Sequence, residues 1–346
     1  MSIFAKKVRP YKAGRRKIID IHNKKTETYV IFCRMKRLLW IVMLLGTLGA
    51  RAQFDVAFTN TWALQPFYNP ASTGIDGLLN VQGAYSMQMA GFENAPATMY
   101  VGADMPVFFL SPSHGMGVGL LTDKAALFNT KKFYLQYAYH LKLFGGKMSV
   151  GARAAMISEG FDGTDLDLIE GNDPAFANSE VTGTAFDLDM GLRYSYKNIW
   201  YAGASLMHCL GPSIAMGDDK IYEVNIDPTL YITGGYHLKF RQKEYGLKTD
   251  AMVRTDLQTW RADINARLTY NGPKINMYGG AMYSPMNSVG VLIGINFNSI
   301  SIGYSYEIYT SGIGALHGTH ELQLGYQTDL NLFKKGKNKH KSVRLL

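Results

Sequence analysis

The sequence predicts an all-β fold, a transmembrane antiparallel β-barrel of the bacterial outer membrane with about 14 strands. Three observations lead there. Apolar and polar residues alternate strictly over repeated runs of about nine to eleven residues, the length a tilted strand needs to cross a bilayer. The body of the chain has no apolar run of about 20 residues, so a membrane could be entered only by a closed barrel. The chain also opens with what reads as an export leader.

The alternation is clearest from Thr184, where Phe186, Leu188, Met190, Leu192, Tyr194 and Tyr196 share one face. The other face holds Ala185, Asp187, Asp189, Gly191, Arg193 and Ser195. The pattern returns with Trp260, Ala262, Ile264, Ala266, Leu268 and Tyr270 set against Arg261, Asp263, Asn265, Arg267 and Thr269. It recurs in Met148 to Met156, Val289 to Phe297 and Ile300 to Ile308. A strand apolar on one face and charged on the other fits lipid outside and a wet lumen inside. A soluble sandwich would use the same alternation with its apolar face turned to a core; export and the aromatic ends of the runs favour the barrel. Tyr194, Tyr196, Trp200, Tyr201, Tyr304 and Tyr306 are such ends, suited to the headgroup boundary.

Strands are expected at 78–89, 96–105, 114–121, 132–142, 147–157, 184–196, 199–206, 229–238, 248–254, 260–269, 275–283, 288–297, 300–308 and 319–327. The even number suits a single-chain bacterial barrel. Connections at 143–147, 197–198 and 298–299 are tight and those at 158–183, 207–228 and 309–318 are long. Tight turns are therefore placed in the periplasm, together with both chain ends, and long loops outside.

The formal net charge of +9 suggests nucleic acid only until its distribution is read. Residues 1–52 hold 13 Lys and Arg against 2 acids, leaving 23 basic and 25 acidic residues from Gln53 onward. Six more basic residues crowd Lys334 to Arg344. The body between is acidic, and no nucleic-acid partner is expected.

Met35-Lys36-Arg37, the apolar run Leu38 to Leu45 and Ala50-Arg51-Ala52 form the three parts of a secretory signal over 35–52, with cleavage expected after Ala52. Residues 1–34 precede its own Met35 and read as a mis-assigned or extended start. Residues 53–77 are expected to be a periplasmic lead-in, 78–333 the barrel, and 334–346 a basic periplasmic tail. Cys33 falls in the discarded start, so Cys209 has no disulfide partner in the exported chain, and no lipid-anchoring Cys follows the apolar run.

Three blocks then carry a resemblance. Asn69-Pro70-Ala71-Ser72-Thr73-Gly74, Gly91-Phe92-Glu93-Asn94-Ala95-Pro96-Ala97-Thr98 and Gly318-Thr319-His320-Glu321 occur in that order. The chain resembles the PorP/SprF family of type IX secretion and gliding-motility proteins over essentially all of 53–333. Its members share an N-P-A-x-x-G segment, a G-F-x-x-A-P-x-T hairpin joining the first two strands, and a G-x-H-E lead into the last. They often place an Arg and a Trp just before the G-F pair, where this chain has Ser86 and Met89, so a contact by that Arg is not carried over. The resemblance implies partners in outer-membrane lipid, type IX secretion components and secreted surface cargo. Each block also has a plain structural reading: Pro70 and Gly74 as a turn onto the first strand, and Gly91 and Pro96 as the shape of a hairpin end. His320 and Glu321 are adjacent and must face opposite sides of a strand, so they do not share a catalytic or metal site.

No H-E-x-x-H, G-x-S-x-G, Walker-type loop or C-x-x-C is present, so no enzyme and no cofactor is expected. Ser205, His208 and His320 could serve hydrolysis, but nothing in the sequence groups them. The acidic stretch from Ser158 to Gly183 offers a weak calcium candidate in Asp162, Asp165 and Asp167, without EF-hand spacing. Asp187, Asp189, Arg193, Arg261, Asp263 and Arg267 are expected to line the lumen. They would suit cross-strand ion pairs in an accessory or anchoring protein, or the selectivity lining of a small-solute pore.

Overall fold

The computed structural model describes residues 55–92, 94–107, 113–163, 180–216, 222–242, 244–311 and 318–329. The expected leader over 1–34 and 35–52, Asp165 and Asp167 of the acidic loop, and the tail 334–346 lie outside the described residues.

Fourteen strands close an antiparallel barrel. In chain order they are β1 (Leu79–Met87), β2 (Ala97–Pro106), β3 (His114–Ala125), β4 (Phe128–Leu143), β5 (Gly146–Asp162), β6 (Glu180–Tyr196) and β7 (Trp200–Met207). After a short hairpin of β8 (Ser213–Met216) and β9 (Tyr222–Asn225) come β10 (Thr229–Lys239), β11 (Tyr245–Thr255), β12 (Trp260–Asn271) and β13 (Ile275–Ser284). The last three are β14 (Ser288–Phe297), β15 (Ile300–Tyr309) and β16 (Thr319–Thr328). Each barrel strand pairs with its neighbour in sequence, except that β7 pairs with β10 across the hairpin. The seam joins β1 to β16, with Leu79 opposite Thr328 and Met87 opposite His320. Closure leaves no unpaired edge for hydrocarbon to meet.

The faces are inverted relative to a soluble protein. Met156 and Leu268 are each 60 % exposed on the outer wall, whereas Arg153 is 2 % and Asp187 and Asp189 are 0 % exposed within. An apolar band toward lipid and a polar interior is what period-two patterning delivers when a sheet curls on itself. Rings gather at the end carrying the tight turns: Tyr194 lies 5.4 Å from Trp200, and Tyr245 lies 5.3 Å from Tyr270.

The two ends of the barrel differ. Phe144-Gly145 and Asn298-Ser299 close hairpins in two residues at the end where β1 begins and β16 ends. The opposite end carries the 208–228 connection with its hairpin, but also the tight Ala126-Leu127 turn. Alternation of loop length is therefore incomplete. β4, β5 and β6 run longer than the periodicity predicts, pairing out to Phe128 opposite Phe161 and Asp162 opposite Glu180. Glu159 belongs to β5 and accepts a 2.8 Å bond from Thr130 Oγ1. The extension supports the β8–β9 hairpin, whose Ile214 and Met216 bury against Ile157 with Val181 and Ala185 alongside.

One expectation is overturned. Residues 55–76 do not lie in the periplasm as a lead-in but run through the lumen. Asp55 sits beside His208, just past the end of β7, and Ile75 O accepts from Lys147 Nζ at 2.9 Å near the start of β5. Those two places are at opposite ends of the barrel. The physical reason is apolar content: Phe58, Leu64, Phe67 and Tyr68 find inward-facing Tyr100, Tyr134, Met207, Tyr231 and Met252 to bury against. Within this segment α1 (Gln65–Tyr68) is a single helical turn, followed by a 3-10 turn over Pro70–Ser72.

Candidate functional site

The lumen segment and the wall facing it form the candidate site, and strand alternation determines which side chains reach it. On β6 the odd positions point inward, giving Asp187, Asp189 and Arg193; on β12 they give Arg261, Asp263, Asn265 and Arg267. Buried charges need partners, and all of these but Arg193 have a charged one. Asp189 binds Lys132 at 3.3 Å and Arg153 at 3.2 Å. Arg261 binds Asp263 at 2.9 Å and Glu307 at 3.0 Å, and Arg267 pairs with Asp250.

Arg153 is the hub, and the apolar-face reading of 147–157 missed it. Its Nη2 donates to Pro66 O at 2.5 Å and Phe67 O at 2.8 Å, satisfying carbonyls of α1 that the single turn leaves open. Its Nε donates to Gln136 Oε1 at 3.0 Å, and the guanidinium stacks 4.0 Å over the Tyr134 ring. Five donors on a planar fork make this possible for Arg and not for Lys. A lone Arg in the middle of a spanning strand was the available signal.

The Asn69 block seats the segment on the wall. Asn69 Nδ2 donates to Leu192 O at 2.9 Å and Ala204 O at 3.3 Å, while Oδ1 caps Ala71 N at 2.9 Å. Pro70 opens the 3-10 turn that follows. Gly151 and Gly191 make room: a Cβ at Gly191 would lie 2.1 Å from Asn69 Oδ1, and one at Gly151 would lie 2.3 Å from Ala71 N. Gly74 has a positive φ of 67° and donates its N–H to Asp104 Oδ2 at 2.7 Å, turning the chain toward β1.

The other two blocks meet at the loop-bearing end. Ala90 N donates to Gly318 O at 3.1 Å, so the Gly91 hairpin rests on the lead into β16. Within that hairpin Gly91 has a positive φ, Pro96 O accepts from Gln88 N at 2.8 Å, Phe92 and Ala95 lie at the tip, and Thr98 Oγ1 donates to Asp123 Oδ1 at 2.5 Å. His320 faces outward and shares a 2.7 Å bond with Tyr304 OH. Glu321 faces the lumen and accepts from Thr59 N at 2.6 Å and Asn60 N at 3.1 Å. Ser86 is buried opposite Glu321 in the seam.

At the same end His208 Nε2 lies 3.0 Å from Asp55 Oδ1, and Nδ1 lies 2.5 Å from Asp187 Oδ2. Burial lowers its pKa, but the Asp55 charge and hydrogen bonds to Asp187 and Asp55 outweigh that and push it up to about 9. Asp187, Asp189 and His208 bring donor atoms within 4.8 Å of one another. Lys132 and Arg153 already neutralise Asp189, and each His208 nitrogen already has a carboxylate, so ion pairing accounts for the cluster. Asp162 ends β5, with its N–H on Leu127 O at 3.0 Å. Ser205 Oγ donates to Tyr68 O at 2.6 Å, and His320 lies on the opposite wall face, so these hydrolytic candidates are not assembled.

Between the lower part of the lumen segment and the wall lies a polar vestibule of about 530 Å³ at the tight-turn end. Asn80, Gln82, Asn276, Asn296, Ser301 and Gln323 give it amide and hydroxyl lining.

Residues 50–326 match the family described as type IX secretion system membrane protein PorP/SprF. The chain belongs to the PorP/SprF family. No curated protein matches this PorP/SprF chain in sequence. Among solved structures it is similar to the Ralstonia pickettii toluene transporter TbuX, at 12 % identity and TM-score 0.45 over 81 % of this chain and 96 % of that one. The Pseudomonas putida toluene transporter TodX is similar at 9 % identity and TM-score 0.46, over 80 % and 95 %. The outer membrane protein Omp33 of Acinetobacter baumannii is similar at 9 % identity and TM-score 0.42, over 72 % and 98 %. At these identities and scores the three bear on no functional property of this PorP/SprF protein. Family and closed barrel together place it in the bacterial outer membrane as a multi-pass β-barrel.

Proposed function

We propose that this PorP/SprF barrel is a non-enzymatic accessory or anchoring component of type IX secretion and gliding machinery, supporting export or surface attachment of cargo. The observation that carries the reading is the occupied lumen. A conduit needs a continuous wet path, whereas here residues 55–76 run through the lumen and block it with a buried aromatic cluster and wall ion pairs. What remains for partners is the two ends: the 88–96, 208–228 and 310–318 connections on one side, and the vestibule on the other. No chemical step enters this reading.

Reconstitution of the full chain into planar bilayers, alongside affinity purification from its native membrane, tests it. A silent barrel that brings down secretion components or an exported surface protein supports the anchoring reading. Steady single-channel conductance supports a solute pore, and turnover of lipid or peptide by the purified protein would support an enzyme; either overturns it. Loss of one large surface protein on gene deletion, with general secretion intact, would mark a dedicated cargo anchor, and arrest of all secretion a core component.

A further inference from the structure

We propose that the vestibule at the tight-turn end is a binding site for an anionic group, carboxylate or phosphate, held by Arg193 and Lys248. The inference concerns the ligand chemistry of this cavity and holds whether or not the barrel serves secretion.

Most lumen arginines are held by carboxylates, and one that is not shares a cavity with a lysine that is not. Arg153, Arg261 and Arg267 each have a carboxylate partner. Arg193 is only 8 % exposed, yet it makes no ion pair among the described residues. Its Nη1 reaches Ser72 Oγ at 3.3 Å, its Nε has no acceptor, and its guanidinium stacks 4.0 Å over the Tyr201 ring. Lys248 points into the same cavity from β11 and likewise has no carboxylate within ion-pair distance among the described residues. His237 also lines it, and stands opposite Lys248 in the β10–β11 register.

The acids of the cavity do not fill this gap. Asp250 is taken by Arg267 and by Tyr201 OH at 2.8 Å. Asp104 accepts from Gly74 N and from Asn80 Nδ2 at 3.3 Å. Asp76 remains, exposed at the rim. A buried guanidinium without an anion is costly, and a bound carboxylate or phosphate would satisfy it through the charge-assisted, often bidentate bonds that Arg favours. The amide and hydroxyl lining would hydrogen-bond the polar body of such a ligand. Access is from the tight-turn end, where Asn198, Asn298, Ser299 and Gln327 form the mouth; the inner end is closed by Trp62 and Gln65 of the lumen segment.

The test uses the full chain in detergent with inorganic phosphate and succinate as probes, read by tryptophan fluorescence, because Trp62 and Trp200 line the cavity. Saturable binding is expected for at least one probe. Arg193→Gln should weaken it about tenfold and Lys248→Gln about threefold, the losses of charge-assisted contacts. Lys124→Gln, exposed at the other end, should leave it unchanged. If Arg193→Gln fails to fold, judged by the heat-modifiable band on a gel, the half-buried Lys248 variant decides. No saturation by either probe, or wild-type affinity in the folded variants, overturns the proposal. A short peptide that competes with a free C-terminus but not as its amide would identify a polypeptide carboxylate as the source; preference for phosphate would identify a phosphoryl group.

Discussion

Glu321 near the start of the last strand holds Asn60 in the lumen through two bonds to one oxygen, 3.1 Å from the backbone N–H and 3.0 Å from Nδ2. Thr59 N adds a third bond at 2.6 Å to the other oxygen. Residues 261 and 262 positions apart are thereby joined at the seam of the barrel.

Glu321→Ala should therefore cost about 3 kcal/mol, because it strands buried N–H donors as well as removing bonds to a charged acceptor. Glu321→Gln should cost about half as much, since one amide oxygen can still accept. The temperature at which the barrel loses its heat-modifiable band measures both. Only the Ala variant is expected to expose the segment near Asn60 to protease.

Removing Arg153 should be worse. Arg153→Leu leaves Asp189 with Lys132 as its one ion-pair partner among the described residues and frees the carbonyls of Pro66 and Phe67, so a loss of about 3–5 kcal/mol is expected. Lys132→Leu should cost clearly less, because Arg153 still pairs Asp189. Denaturant unfolding of the two variants in the same detergent gives the comparison.

The close approach of Asn69 predicts intolerance at Gly191. Gly191→Ala forces a Cβ into the Asn69 side chain and should cost about 1–3 kcal/mol. Gly279→Ala, whose Cβ would meet nothing within 4 Å, should change stability by no more than about 0.5 kcal/mol. Equal thermal shifts for the pair would contradict the seating of the segment on β6.

His208 gives a pH signature. Its folded pKa of about 9 lies above the ordinary 6.5, so its contribution is complete below about 6.5 and fades as pH rises through about 9. The stability gap between wild type and His208→Gln should thus be widest near pH 6 and nearly closed above pH 9. Lys132 opposes the charged imidazole and Asp55 and Asp187 favour it, so Lys132→Gln should move the midpoint upward. Thermal midpoints across pH 5–10 read both effects.

The strands were legible because an outer-membrane wall imposes a period of two on every crossing, and Phe186 through Tyr196 or Trp260 through Tyr270 obey it without exception. The outer parts of β4 to β6 were not, since beyond the bilayer nothing requires Thr130 or Glu159 to alternate. Strands of four residues, as in Ser213–Met216, are too short to show a period at all. The lumen segment escaped because Gln65 to Thr73 forms single turns whose partners come from distant strands. Asn69, Pro70 and Glu321 were singled out by family likeness, but their joint work in seating and latching that segment depends on contacts more than a hundred residues apart. Arg153 was hidden by attention to the apolar face of its own strand.

The lumen segment runs from Ile75, near the start of β5, to Asp55, past the end of β7, a thread held inside a closed ring. The seam between β1 and β16 closes that ring, and Glu321 on the closing strand also bonds the segment inside it. Because Glu321 grips Thr59 and Asn60 from the strand that completes the seam, the latch on the thread and the closing of the ring fall to one and the same strand.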